Sequence, residues 1–267
     1  MHYWNESKDN IYVAAHRGWP AVYPENTMES YRAAADLGVD QIENDIRVTR
    51  DGELVLIHDA AVDRTTDGHG LVEEMTFREL RALDAGGWKG ERFRGAKIPT
   101  LIEFMEMVQE YPRMTVDFEL KEYPTPGREK LAYDVCDRAL RIIDEAGFTD
   151  RCVINTFDAK LQAYIKKNHD PRLRRHVYYP LDCMGQVEED PYEGAYCVCM
   201  FGDRDDEIMA DRESFDMVRA RGVRPWAGAG VKDAAGVDLA IARGAELITC
   251  NNPDVILSLL RERGKHA

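Results

Sequence analysis

The chain has 267 residues, a formal net charge of −14 and a mean hydropathy of −0.48, a soluble globular balance that is long for an average domain but ordinary for one (β/α)8 barrel. The acidic excess argues against nucleic acid and anionic membrane surfaces as partners. No apolar stretch approaches the ~20 residues of a membrane span, and the polar start from Met1 to Asn10 is no secretory signal, so a cytoplasmic protein without stable membrane insertion is expected.

The first predicted strand, Ile11-Tyr12-Val13-Ala14-Ala15, ends abruptly in His16-Arg17-Gly18. Gly18 and Pro20 stop it. Pro24-Glu25-Asn26-Thr27 then opens a helix that Asn26 or Thr27 caps, with Met28, Tyr31 and Ala35 on one face and Gly38 at the stop. This is the βα unit whose strand ends hold active sites in α/β folds.

The next segment runs from Gln41 to Thr49, turns at Asp51-Gly52 and returns as Leu54 to Ile57 before His58-Asp59. Asp-Gly between alternating apolar runs is a strong hairpin signal. A two-residue turn sets Arg50 opposite Glu53 and, counting back, Asp45 opposite His58. Opposed residues have Cβ atoms roughly 4.5–5.5 Å apart, and Glu43 shares their face. Two carboxylates and an imidazole thereby converge; the competing reading is the solvated face of an edge hairpin.

From His58 to about residue 99 there is no long periodic pattern, only the glycine-rich turn around His69, read as a surface residue, and a short helix near Thr76–Leu83. Forty residues of this kind inside a domain are usually functional. The strand Met114 to Lys121 follows the helix near Thr100 and alternates Asp117, Glu119 and Lys121 with Val116, Phe118 and Leu120. Helical patterns flank it, so its buried acids need cations or hydrogen-bond donors. Glu43, Asp45 and Glu119 form an all-oxygen set that suits Mg²⁺ or Ca²⁺ better than zinc. A structural salt-bridge network with Lys121 and Arg17 fits Asp117 better than the other acids.

Helices at about 128–146 and 159–168 alternate with strands at 152–154, 173–178, 196–200, 223–227 and 246–249, and a last helix follows Asn252-Pro253. The segment 181–195 reads as a loop replacing a helix. Six irregularly spaced cysteines read as reduced core thiols; Cys197 and Cys199 alternate on one strand, and nothing completes a zinc pattern.

Eight blocks occur in a familiar order: His16-Arg17-Gly18, Pro24-Glu25-Asn26-Thr27, Glu43-Asn44-Asp45, Thr49-Arg50-Asp51-Gly52, His58-Asp59, Arg64-Thr65-Thr66-Asp67-Gly68, Ile98-Pro99-Thr100-Leu101 and Glu119-Leu120-Lys121. In this order the chain resembles the glycerophosphodiester phosphodiesterases, most strongly over residues 11–121. The resemblance implies one α/β domain over 1–267, a (β/α)8 TIM-type barrel with a small insertion at 60–99 capping its mouth. It also implies one divalent ion, Mg²⁺ or Ca²⁺, on Glu43, Asp45 and Glu119, and two catalytic histidines, His16 and His58. Phe157 and Trp226 fall where the family has substrate-side aromatics. Departures lie nearby: Ala227-Gly228-Ala229 replaces Thr-Val-Asn, and Thr249-Cys250-Asn251-Asn252-Pro253 replaces Thr-Asp-x-Pro, so the alcohol side is incompletely matched.

The implied chemistry is hydrolysis of a small glycerophosphodiester to glycerol phosphate and an alcohol. Arg17 grips a phosphoryl oxygen and Lys121 adds a point charge. One histidine acts as base and the other as acid, assigned as His16 and His58 in that order, on water or on the substrate's own glycerol hydroxyl. The rival readings are a lysophospholipase D or sphingomyelinase D-like enzyme acting on lipids, and an inactive phosphate-binding homologue.

Overall fold

Eight parallel strands close into a barrel in this computed structural model, which describes residue 4, residues 9–204 and residues 206–267. Most of the polar start therefore lies outside the described residues. The strands are β1 (Tyr12–His16), β2 (Gln41–Val48), β4 (Thr115–Leu120), β5 (Cys152–Asn155), β6 (Arg174–Tyr179), β7 (Cys197–Met200), β8 (Arg224–Ala227) and β9 (Leu247–Cys250), with β3 (Leu54–Leu56) as an antiparallel arm on β2. β1 pairs with both β2 and β9, which closes the ring. Around it run α1 (Met28–Asp36), α3 (Leu101–Val108), α4 (Glu129–Glu145), α5 (Ala159–Asn168), α6 (Arg212–Ala220), α7 (Ala234–Arg243) and α8 (Pro253–Glu262), while α2 (Phe77–Ala82) belongs to the insertion.

Local chemistry explains the helix starts. The Thr27 hydroxyl accepts from the Ser30 amide to cap α1, Thr100 and Glu103 form a capping box on α3, and Pro253 opens α8. Between β6 and β7 the chain makes only a 3-10 turn, Leu181–Met184, in place of a crossover helix, as the sequence suggested.

Strand alternation divides the core. Val13 and Ala15 of β1 face outward into the layer shared with Tyr31, Phe104 and Leu140. Ala14 faces inward with Val153, Cys197, Trp226 and Leu247, filling the lower barrel. Above that plug the inward positions turn polar. Residues Val55, Ile57, Val62, Val72, Leu80, Ala85 and Ile98 form a separate small core under the insertion. Five cysteines are buried, Cys183 is partly so, and all six are unbridged. Among the described residues no helix is long and apolar enough to cross a membrane.

The hairpin register differs from expectation by one residue. Ile46 pairs with Leu56, Arg47 with Val55 and Val48 with Leu54, and the Ile57 amide donates to the Asp45 carbonyl at 3.0 Å. Asp45 therefore faces Ile57, not His58. The turn is three residues, not two: the Thr49 amide donates to the Glu53 carbonyl at 3.0 Å, and the Thr49 hydroxyl takes the Glu53 amide at 2.9 Å. Gly52, with φ of 90°, supplies the left-handed residue that a three-residue hairpin needs.

Candidate active site

A cavity of about 220 Å³ opens at the C-terminal end of the barrel strands, lined by His16, Arg17, Glu43, His58, Asp117, Glu119, Lys121, Asn155, Phe157, His176, Tyr178, Cys199, Phe201, Gly228, Ala229 and Thr249. Barrel register builds it. His16 neighbours Glu43 across β1 and β2, Glu43 neighbours Asp117, and Asp45 neighbours Glu119 across β2 and β4. Parallel neighbours share a face, so the acids of two strands crowd one wall.

Glu43, Asp45 and Glu119 each present a carboxylate oxygen within 4.8 Å of the other two. All three are at most 5% exposed. Burial, with Asp45 and Glu119 beside it, raises the Glu43 carboxyl well above its ordinary range. Burial raises Glu119 to about 7, reinforced by Asp45 and opposed by Lys121. Burial works in the same direction on Asp45, but Lys121 and Arg17 hold that carboxyl well below the usual range. Lys121 Nζ lies 3.1 Å from Asp45 Oδ1 and in contact with Glu119, while Glu43 Oε1 is buried without a hydrogen-bond partner among the described residues. Three buried acids served by so little positive charge fit a hard cation, and oxygen donors are the ones it prefers.

Arg17 occupies the strand-to-loop bend with φ of 59°. Its amide donates to Glu43 Oε2 at 2.9 Å, and its guanidinium meets Glu25 at 2.9 Å and Asp45 at 3.3 Å. The following Gly18 permits the bend, because a Cβ there would sit 2.3 Å from Ser30 Oγ.

The two histidines have different ring partners. His16 Nδ1–H donates to Asn251 Oδ1 at 2.7 Å, which leaves Nε2 as the acceptor, 3.9 Å from Glu43. Burial, then the charge of Arg17, lowers its pKa to about 4, keeping the ring neutral. Asn251, two residues before Pro253, thus places a neutral amide rather than a carboxylate behind His16. His58 Nδ1–H donates instead to Asp59 at 2.6 Å. Burial also lowers the His58 pKa, opposed by Asp45 and Asp59. Arg64 of the insertion grips Asp59 at 2.6 Å and Glu25 at 2.8 Å. None of residues 60–99 lines the cavity; among them Arg64 reaches the far side of His58 through Asp59. Arg64→Ala should lower kcat by about 10- to 100-fold by loosening His58, with KM little changed, in steady-state assays.

Phe157 lies on the far wall, stacked 3.7 Å from Tyr178 and nearly parallel to Phe201. Gly228 lets that wall form, since a Cβ would come within 2.6 Å of Phe201. Trp226 departs from expectation. It is 3% exposed and belongs to the plug below the cavity, one inward rung beneath Gly228. Barrel stagger puts it too deep to meet a headgroup. Trp226→Ala should therefore cost about 3–5 kcal/mol of stability, the usual range for emptying such a site, measurable by chemical denaturation. His69 is a surface side chain, 86% exposed.

Several contributors were not singled out in the sequence. Asn26 donates to Asp45 at 2.7 Å and accepts from the Tyr31 hydroxyl at 2.6 Å. Asp59, Glu25 and Arg64 form the brace behind His58, and Asn155, His176 and Tyr178 complete the floor. His176 carried a usable signal: a polar residue inside a strand enclosed on both faces, the pattern that exposed Asp117. A second cluster, Cys136, Asp137 and His169, lies outside the barrel. Burial raises the Cys136 thiol's pKa, and Asp137 is already engaged by Tyr164 and His169.

Residues 16–224 match the model of the glycerophosphoryl diester phosphodiesterase family. The chain belongs to that family. A glycerophosphodiester phosphodiesterase of Caldanaerobacter subterraneus subsp. tengcongensis is 33% identical over 94% of this chain and 98% of its own length. A phosphodiesterase of Oleispira antarctica, solved with the product sn-glycerol-3-phosphate, superposes with a TM-score of 0.79 at 25% identity, covering 94% of this chain and 96% of the other. A family member from Silicibacter pomeroyi, 22% identical, superposes at 0.80 over 96% and 95%, which speaks for the barrel alone. The chain is thus an enzyme of the glycerophosphodiester phosphodiesterase type.

Proposed function

We propose that this phosphodiesterase is metal-dependent and hydrolyses small soluble glycerophosphodiesters by two-histidine acid–base catalysis, releasing glycerol phosphate and an alcohol. The observation that carries the reading is the meeting of three buried carboxylates with two histidines whose Nδ1 atoms are both engaged, leaving both Nε2 atoms for chemistry. Mg²⁺ or Ca²⁺ on Glu43, Asp45 and Glu119 would polarise a phosphoryl oxygen and acidify a hydroxyl nucleophile. Arg17 and Lys121 bind the remaining phosphoryl oxygens, where negative charge grows during the reaction. His16, kept neutral by burial and paired with an amide, takes the nucleophile's proton at Nε2. His58 enters the step as the imidazolium, which Asp45 and Asp59 favour against burial, and gives its Nε2 proton to the departing alkoxide while Nδ1–H stays on Asp59. Different partners on two like rings separate acid from base. The product glycerol phosphate bound by the Oleispira relative supports the choice of substrate.

Product analysis tests this reading. Glycerophosphocholine, glycerophosphoethanolamine and glycerophosphoglycerol should each yield glycerol phosphate plus the free alcohol. Release of phosphocholine, or turnover of aggregated lysolipid alone, would replace it with a lipid-directed activity.

A further inference from the structure

We propose that His176 is a specificity-determining residue that receives a hydroxyl of the substrate's glycerol portion at the cavity floor. The inference rests on the phosphodiesterase reading of the same cavity and names a contact that reading lacks. His176 is 3% exposed and lines the cavity. Its Nδ1–H donates to Asp117 Oδ2 at 2.7 Å. The other Asp117 oxygen accepts from Asn155 Nδ2 at 2.7 Å, and Asn155 Oδ1 accepts from the Tyr178 hydroxyl at 2.9 Å. Every member of this chain is satisfied except its end: His176 Nε2 is buried without a hydrogen-bond partner among the described residues.

The ring is held from both sides. Trp226 meets it edge-on at 4.9 Å and 61°, and Tyr178 lies at 5.2 Å. A buried nitrogen without a partner is costly, and a ring fixed by a carboxylate and two aromatics is prepared to bind. With Asp117 accepting from Nδ1–H, the lone pair sits on Nε2, which therefore accepts a hydrogen bond. A hydroxyl satisfies it; an acyl chain, an aromatic ring or a quaternary ammonium does not. Among the other residues lining the cavity, Cys199, Phe201 and Gly228 offer no strong acceptor, and the Tyr178 hydroxyl is already spent on Asn155. Sites built to hydrogen-bond a hydroxyl reject analogues that lack it, because the polar group is then left unpaired. This would make His176 the reader of glycerol at the cavity floor, beside the apolar side chains of Phe157 and Phe201.

Two substitutions separate this role from a structural one. His176→Asn keeps an amide beside Asp117 but withdraws from the cavity, whereas His176→Gln reaches the position of Nε2. Both are to be assayed, loaded with Mg²⁺, on glycerophosphoethanolamine and on bis(4-nitrophenyl) phosphate, which carries no alcohol hydroxyl. The ratio of kcat/KM for the two substrates should fall at least roughly tenfold in His176→Asn, mostly through KM, and recover in His176→Gln. An unchanged ratio, or recovery in neither variant, would overturn the proposal. Calorimetry on the unaltered protein gives an independent reading should the variants not fold. Glycerol 3-phosphate should bind at least roughly tenfold more tightly than propyl phosphate, and equal binding, or none, refutes the role. A wild-type protein that turns over no glycerophosphodiester, yet shows this preference, would instead sink the phosphodiesterase reading.

Discussion

His16→Ala and His58→Ala should each lower kcat by at least ~10²-fold, the size of a general acid or base contribution, without unfolding the barrel. Both rings stand at strand ends above the apolar plug, so removing either leaves the core of Ala14, Val153, Cys197, Trp226 and Leu247 intact. The two variants should differ in what rescues them. A substrate with a good leaving group, such as bis(4-nitrophenyl) phosphate, needs little protonation of the departing oxygen, so it should recover much of the loss in His58→Ala and little in His16→Ala. The reverse pattern would exchange the two roles. His69→Ala, on the open surface, should remain within about twofold of wild type; a loss matching that of His58→Ala would discredit the assignment.

Chelation should abolish activity, and Mg²⁺ or Ca²⁺ should restore it. Glu43→Ala and Asp45→Ala should resemble the chelated enzyme even at saturating substrate. Full turnover in excess chelator, with metal loss confirmed by elemental analysis, would end the metal-centred mechanism. Stability offers a second readout. In the metal-free protein Glu43 and Glu119 have raised pKa values, Glu119 to about 7. Between the unfolded carboxyl value of about 4.3 and pH 7, the native state then binds more protons than the unfolded one, so stability falls as pH rises. Metal should remove that penalty, and its gain in Tm should be larger at pH 7.5 than at pH 5. A gain that is equal at both pH values would contradict a cation held by these acids.

The acids were legible because Asp117 and Glu119 alternate with Val116, Phe118 and Leu120 in a strand flanked by helices. Elementary electrostatics permits few reasons for charge in such a place. The βα unit whose strand ends at His16, the hairpin, and the absence of an α-helix between β6 and β7 were legible in the same way, from periodicity and turn residues. The hairpin register was not. Asp51-Gly52 suits a two-residue turn, yet the Thr49 hydroxyl captures the Glu53 amide and lengthens the loop by one. His58 still reaches the cavity, from beyond the end of the arm, with its carbonyl held by Arg47 at 2.9 Å.

Sequence alone indicated the fold class and which acids and histidines gather at the strand ends, because residue type, alternation and local capping are properties of neighbours along the chain. Depth and partnership were decided by the tertiary structure. Whether an inward residue meets ligand or plug depends on how far each strand is staggered against the next, and stagger is set by closure of the whole ring. That is why Trp226 lies beneath the cavity and His176 lines it, although both are inward residues, of β8 and β6, on either side of β7. The brace Glu25–Arg64–Asp59 behind His58 and the pair of Asn251 with His16 join segments up to 235 residues apart, and only packing brings them together.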